Sequence, residues 1–183
     1  MDIERWIVTG WRSSGKTAFC QGLIQQARLE NWDVAGILSP ARFENGIKVA
    51  IDAVDLRTTI QKPLANLQRQ DETDLAFGDW FFNRRTLTWG NQALRESAPC
   101  DLLVIDELGP LEFNLHTGWT AAFEVLESAS FRIALAVIRP ELMMAGQALL
   151  KPAKIIEIHD VSEAADLIRS YCPAFKRLKN SLV

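Results

Sequence analysis

An α/β fold, with a mixed and mostly parallel sheet flanked by helices, is what this sequence predicts, on three observations. Residues 5–9 read as a short buried strand and run straight into Gly10-Trp11-Arg12-Ser13-Ser14-Gly15-Lys16-Thr17, after which the apolar spacing turns helical. Two largely apolar runs, at 102–105 and 131–138, have the composition of strands buried on both faces, the mark of a parallel sheet. Between these landmarks lies Asn45-Gly46, a pair suited to the positive φ of tight hairpins, followed by a period-two stretch at 47–54. A β-hairpin after the first helix is therefore expected, and it makes the sheet mixed.

Each element has its own signal. Cys20, Leu23, Ile24 and Ala27 recur at helical spacing and predict one buried face of a first helix ending near Asn31. Residues 34–39 read as a strand stopped by Pro40, and 47–54 as its antiparallel partner. Residues 56–79 read as loops with one short strand at 64–67, and 80–83 as an edge strand. A helix is predicted over 88–98, capped by Thr86 or Thr88, with Trp89, Ala93 and Leu94 facing inward and Arg84-Arg85 solvated. Pro99 ends it. After the run at 102–105, Trp119, Ala122, Phe123, Leu126 and Ala129 mark one face of a helix over 117–130. Pro140 opens a short helix to about Gln147, and 155–158 is the last strand. Asp160 and Glu163 resemble a capping box for a closing helix that runs to about Cys172. The chain reads as one domain over 1–183.

Composition narrows the function. The 183 residues are 48% hydrophobic and 23% charged, ordinary for a globular protein, and a net charge of −3 lacks the basic footprint of a nucleic-acid surface. No stretch approaches the ~20 apolar residues of a membrane helix, and the short first apolar run does not resemble a leader. A cytoplasmic protein without nucleic-acid or membrane partners is expected. Cys20, Cys100 and Cys172 are far apart, with no metal-ligand spacing, and are predicted to be reduced thiols. His116 and His159 stand alone and are read as structural or surface residues.

The chemistry starts at residue 10. Gly-x-x-x-x-Gly-Lys-Thr between a strand and a helix is the phosphate-binding P-loop, in which backbone N–H groups from Gly10 to Ala18 converge on a polyphosphate beside a helix N-terminus. Lys16 is expected to bridge the β- and γ-phosphates of ATP or GTP, and the Thr17 hydroxyl to ligate Mg²⁺. The run at 102–105 ends in Asp106-Glu107, at the strand end where α/β sheets bind ligands. Asp106 is placed to hold the Mg²⁺ shell, and Glu107 to polarise a water for in-line attack. Glu112 either orients the site or lies on the surface. Charge developing on the γ-phosphoryl group calls for a further cation; Arg139, at a strand end, is the first candidate in cis and Arg42 the second. Trp11 sits inside the phosphate loop, where its indole would report nucleotide binding.

At this point the sequence resembles a family. The run LLVIDELGPLEF at 102–113 is similar to the Walker-B signature of the THEP1-type nucleoside-triphosphatases. The N-terminal P-loop, the segment VAGILSP at 34–40 with its hairpin, and a strand and short helix at 134–147 match in order and spacing. The resemblance covers about the first 170 residues. It implies a RecA-like additional-strand P-loop core and Mg²⁺-dependent hydrolysis of several nucleoside triphosphates. The chain also departs from the family. Arg12 and Ser13 stand where Pro and Gly are usual, Ala41, Phe43 and Lys48 where Glu, Arg and Arg are typical, and Ala164-Ala165 where an Asn-Arg pair is frequent. Those losses of auxiliary charge describe a divergent member.

The favoured reading is hydrolysis to a nucleoside diphosphate and phosphate, with slow basal turnover. No Asn-Lys-x-Asp motif reads a guanine ring, so base discrimination is expected to be weak. A P-loop kinase for a nucleotide or small metabolite stays open, although an Arg-x-x-x-Arg lid is missing and a glutamate after the Walker-B aspartate favours water as acceptor. A nucleotide-binding switch with little turnover is the third reading, and an oligomer or protein partner is left open.

Overall fold

Apolar alternation decides which helices cover which face of the sheet. The computed structural model describes residues 3–128 and 130–180. Strand β1, Glu4–Thr9, buries Trp6 and Val8 on one face and Ile7 on the other, all at 0–1% exposure. Helix α1 (Lys16–Leu29) lays Phe19, Cys20, Leu23, Ile24 and Ala27 over the first face, as its periodicity predicts. Strand β2 (Val34–Leu38) follows, then β3 (Ala41–Glu44), β4 (Ile47–Asp55), β5 (Gln61–Asn66), β6 (Leu75–Phe77) and β7 (Trp80–Phe82). Helix α2 (Arg84–Arg95) covers the second face, and β8 (Leu102–Leu108), α3 (Pro110–Phe113) and α4 (Ala121–Ser128) come next. The chain closes with β9 (Ile133–Ile138), a 3-10 turn at Pro140–Leu142, α5 (Met143–Leu149), β10 (Lys154–Glu157), α6 (Ala164–Tyr171) and α7 (Pro173–Asn180).

The sheet order is β10-β1-β9-β8-β2-β4-β5-β7-β6, with β3 beside β4. From β10 to β2 all neighbours are parallel, and from β4 onward they are antiparallel. The sheet is therefore mixed, as expected. Strand β9 lies between the P-loop strand β1 and the Asp106 strand β8, which is the additional-strand arrangement. Its six residues are all buried, because helices cover both faces of this part of the sheet. Among the described residues no helix is long and apolar enough to cross a membrane. All three cysteines are free, and burial pushes the Cys20 thiol far up and Cys100 to about 12, leaving both as inert packing groups.

Several expectations are corrected by tertiary contacts. Strand β2 stops before Pro40 as expected, but the Pro40 carbonyl accepts from Asp52 N at 3.0 Å and a further strand, β3, starts at Ala41. The hairpin is thus β3–β4, turning through Asn45 and Gly46 at positive φ, and β2 joins only at its base. The region read mostly as loops holds β5, which accepts Pro63 because the pairing slips between Ile51 and Asp52, where the missing N–H is absorbed. β7 is not an edge strand, since β6 pairs outside it.

Helix α2 starts earlier than its threonines suggest, because the Asn83 side chain caps Thr86 N at 2.9 Å. Helix α4 starts later, where Asn91 from α2 accepts from Ala121 N at 2.8 Å. Trp119, Ala122 and Leu126 are buried as expected; Ala129 lies outside the described residues. The expected Asp160–Glu163 box is realised differently: Asp160 accepts from Ser162 N, and Glu163 reaches back to His159 N. Pro173 opens α7 rather than ending the helical region, and Phe175 then packs 5.0 Å from Trp32 and 6.3 Å from Trp6.

Candidate active site

The P-loop is shaped by its backbone. Gly10 has φ +149°, and a Cβ there would lie 2.2 Å from the Ile158 carbonyl, so the segment after β10 allows no side chain. Ser13 keeps a left-handed φ of +62° without being glycine, a conformation costing about 1–2 kcal/mol. Gly15 caps α1, and the Lys16 ammonium folds back to donate to the carbonyls of Gly10 at 2.8 Å and Trp11 at 2.7 Å. Burial lowers the Lys16 pKa, and the Glu107 and Asp106 carboxylates oppose that shift. Trp11 and Arg12 face solvent, while the Ser14 hydroxyl is buried with no partner among the described residues. Thr17 and Ala18 follow Lys16 in the first turn of α1.

The end of β8 supplies the acidic half. Asp106 is 2% exposed. Its carboxylate accepts from Ser39 N at 3.1 Å and from the Thr17 hydroxyl, while the Ser39 hydroxyl donates to the Asp106 carbonyl at 3.2 Å. Ser39 therefore holds the aspartate from both ends of the residue. The motifs did not mark it; its place between β2 and Pro40 was the available signal. Burial raises the Asp106 carboxyl to about 7, against the pull of those hydrogen bonds and Lys16.

A raised folded-state pKa means that Asp106 stabilises the fold below the usual carboxylate range, and that this contribution is lost as pH climbs toward about 7. Asp106→Asn is accordingly expected to melt higher than the parent at pH 8 without nucleotide, while losing activity. Each pKa unit is worth about 1.4 kcal/mol, and each kcal/mol roughly 2–4 °C in a chain of this size. A lower melting temperature for the variant at pH 8 would refute the strained carboxylate. Among the described residues no group of three or more His, Cys, Asp or Glu could hold a metal. Thr17 and Asp106 instead offer two hard oxygen donors side by side, which fits Mg²⁺, an ion that takes few protein ligands and completes its shell with phosphate and water.

Glu107 carries a further strain. Its φ is +74°, and the β8–β9 register slips between Ile105 and Leu108 around it. Arg139, at the end of β9, donates from Nε at 2.9 Å and from Nη2 at 2.5 Å, both to Glu107 Oε1. Strand β9 lies between β1 and β8, so Arg139 follows a strand set between the P-loop strand and the strand that carries Asp106 and Glu107. Glu112 is not a surface residue: it is 4% exposed and accepts from Gly109 N and Trp119 N, each at 2.8 Å. Burial lifts it to about 7 as well. A Cβ on Gly118 would lie 2.0 Å from Glu112 Oε1, so a glycine is required where the carboxylate ties α3 to the segment before α4.

The two arginine candidates separate. Arg42 pairs with the buried Asp52 at 3.3 Å and lines a cleft of about 710 Å³ between α1 and β4, with Gln21, Gln25 and Arg28. None of Lys16, Asp106, Glu107 or Arg139 lines that cleft. Lys48 stands half-buried with its ammonium 5.2 Å from the Trp80 ring centre, and the Glu107 and Asp106 charges act on it.

The family model described as NTPase matches residues 5–165. A nucleoside-triphosphatase THEP1 of Pyrobaculum islandicum is 26% identical over 66% of this chain and 67% of its own length. That of Pyrobaculum aerophilum is 29% identical over 58% of each, so this second alignment spans under two thirds of the relative. Among solved structures, a human cancer-related nucleoside triphosphatase superimposes with TM-score 0.68 at 18% identity, over 91% of this chain and 96% of that one. THEP1 from Aquifex aeolicus does so with TM-score 0.66 at 13% identity, over 91% and 95%. These two share the fold. With the family model covering both the P-loop and the Asp106-Glu107 strand end, the chain belongs to the NTPase family and is a divergent nucleoside-triphosphatase of the THEP1 type.

Proposed function

We propose that this chain hydrolyses nucleoside triphosphates to diphosphate and phosphate in a Mg²⁺-dependent reaction, slowly and with weak base discrimination. The observation that supports this best is Glu107. A carboxylate directly after the metal-binding aspartate, in a strained backbone conformation and clamped by Arg139, is built for a task at the strand end. Lys16 and the N–H groups from Gly10 to Ala18 hold the β- and γ-phosphates. Thr17 and Asp106 would hold Mg²⁺, which neutralises charge on the phosphoryl oxygens when bound. Glu107 takes a proton from a water whose oxygen attacks the γ-phosphorus in line. The bond to the β–γ bridging oxygen breaks, and the diphosphate leaves with that electron pair.

The Glu107–Arg139 pair supports the slow turnover in this reading. Each group must exchange its partner, Arg139 for a phosphoryl oxygen and Glu107 for the water, before reaction. Weak base discrimination is supported by the segment after β10, which packs against the P-loop through Ile158 and Val161. Its exposed Asp160 spends Oδ1 on Ser162 N at 2.7 Å and on the Ser162 hydroxyl, which leaves Oδ2 where a two-pronged contact to a guanine edge would use both oxygens. A cytoplasmic location fits the three free thiols.

Phosphate release from ATP, GTP, CTP and UTP, with and without Mg²⁺, tests the reading. Release is expected from all four and is expected to vanish with EDTA. A preference of about a hundredfold for GTP over ATP would overturn the weak discrimination. Phosphate transfer that needs an added acceptor would identify a kinase, and tight binding without turnover a switch.

A further inference from the structure

Lys48 is reached by none of the motifs that define the site, yet the topology brings it there. β4 runs antiparallel to β2, and the two pair only at Ile37 with Asp55 and Leu38 with Val54. From Val54 back to Lys48 the strand extends roughly 20 Å, past the carboxyl ends of the parallel strands, where β3 supports it through Phe43. The hairpin thus overhangs the strand ends that hold Asp106 and Glu107. The charges acting on Lys48 are, in order, Glu107, Asp106, Arg139 and Arg12, which are groups of the site.

Of the other cations there, Arg12 faces solvent from the loop, and two are engaged within the site. Lys16 gives two of its three N–H donors to loop carbonyls, and Arg139 is bound to Glu107. Among the described residues the Lys48 ammonium has the Trp80 face as its partner and no hydrogen-bonded carboxylate. A cation resting on an aromatic ring is held by a weak attraction. A triphosphate in a partly desolvated crevice attracts it far more strongly. Lysine's flexible stem and rotatable donors suit such an exchange of partners.

We propose that Lys48 is a catalytic residue of the hydrolysis put forward above: its ammonium leaves the Trp80 ring and closes on the γ-phosphoryl oxygens, so that the hairpin supplies in cis the cation that opposes their developing charge. The inference rests on that hydrolase reading and adds no covalent step to it. It assigns a purpose to the β3–β4 overhang and to the positive charge that position 48 keeps as lysine.

The test pairs single-turnover hydrolysis of Mg-ATP with nucleotide affinity in Lys48→Ala and Lys48→Arg, and follows tryptophan emission against a Trp80→Phe control. Lys48→Ala is expected to slow hydrolysis by roughly 10²–10³-fold, the worth of one preorganised electrostatic donor, with affinity nearly unchanged. Lys48→Arg is expected to recover most of the rate. A non-hydrolysable ATP analogue should change an emission component that disappears in Trp80→Phe and in Lys48→Ala. Parent-like hydrolysis in Lys48→Ala overturns the proposal. So does a loss of affinity that accounts for the whole effect, a failure of Lys48→Arg to recover the rate, or an analogue response that ignores Trp80. If instead Glu107→Gln hydrolyses normally, the hydrolase reading fails on its own, whatever Lys48 does.

Discussion

Glu107→Gln is expected to bind Mg-ATP at least as tightly as the parent chain and to hydrolyse it roughly 10²–10⁴-fold more slowly, the worth of general-base assistance. The structure strengthens the design of this experiment. Both Arg139 contacts fall on Oε1, and a glutamine places a carbonyl oxygen there that still accepts them. The backbone strain and the position of Arg139 are therefore largely preserved, while the proton acceptor and the negative charge are removed. Losing that charge also loosens Arg139 for a phosphate, so affinity holds or rises. Affinity and single-turnover hydrolysis must be measured together. Near-parent hydrolysis, or binding lost along with turnover, would make Glu107 a structural residue and remove the main support for water as the acceptor. A kinase would keep its rate toward an added acceptor, and a switch would show little change from a rate already near zero.

Lys16→Ala is expected to bring hydrolysis below detection, with a loss of at least 10²–10³-fold. Two effects combine. The variant loses the P-loop cation aimed at the β- and γ-phosphates. It also loses the ammonium that joins the Gly10 and Trp11 carbonyls, and with it the closed shape of the loop. The fold should survive, because Lys16 is only half-buried and its contacts are confined to the loop. Phosphate release measured beside a thermal melt separates the two effects. Full activity in a normally melting variant would rule out this loop as the phosphate site.

Lys16 and Glu107 were legible in the sequence because local rules govern them. A strand, a turn with glycines at fixed offsets and a helix start place Lys16 and Thr17 wherever the chain is folded. An apolar run of four marked a strand buried on both faces, and the two carboxylates after it fall near the end of that strand, which runs on to Leu108. The burial of Cys20, Leu23, Ile24 and Ala27 follows from helical spacing alone. The same rules were misled where another part of the chain supplied the partner. Asn91 caps α4 from a different helix, and Glu112 is fastened by the N–H of Trp119. Pro63 enters β5 because β4 slips its register to receive it.

What the sequence by itself determined was therefore the α/β class, the P-loop, the acidic strand end and the hairpin turn at Asn45-Gly46, each set by periodicity or steric preference within a short window. Only the tertiary structure decided how these meet. It inserted β9 between β1 and β8 and so delivered Arg139 to Glu107. It sent Arg42 to Asp52 instead, fixed Asp106 between Ser39 and Thr17, and swung Lys48 over the strand ends on a long antiparallel strand. The physical reason is the range of the forces involved. Backbone preferences act over a few residues, whereas charges and hydrogen-bonding groups choose partners by distance in space, which strand order and register assign only once the sheet has formed.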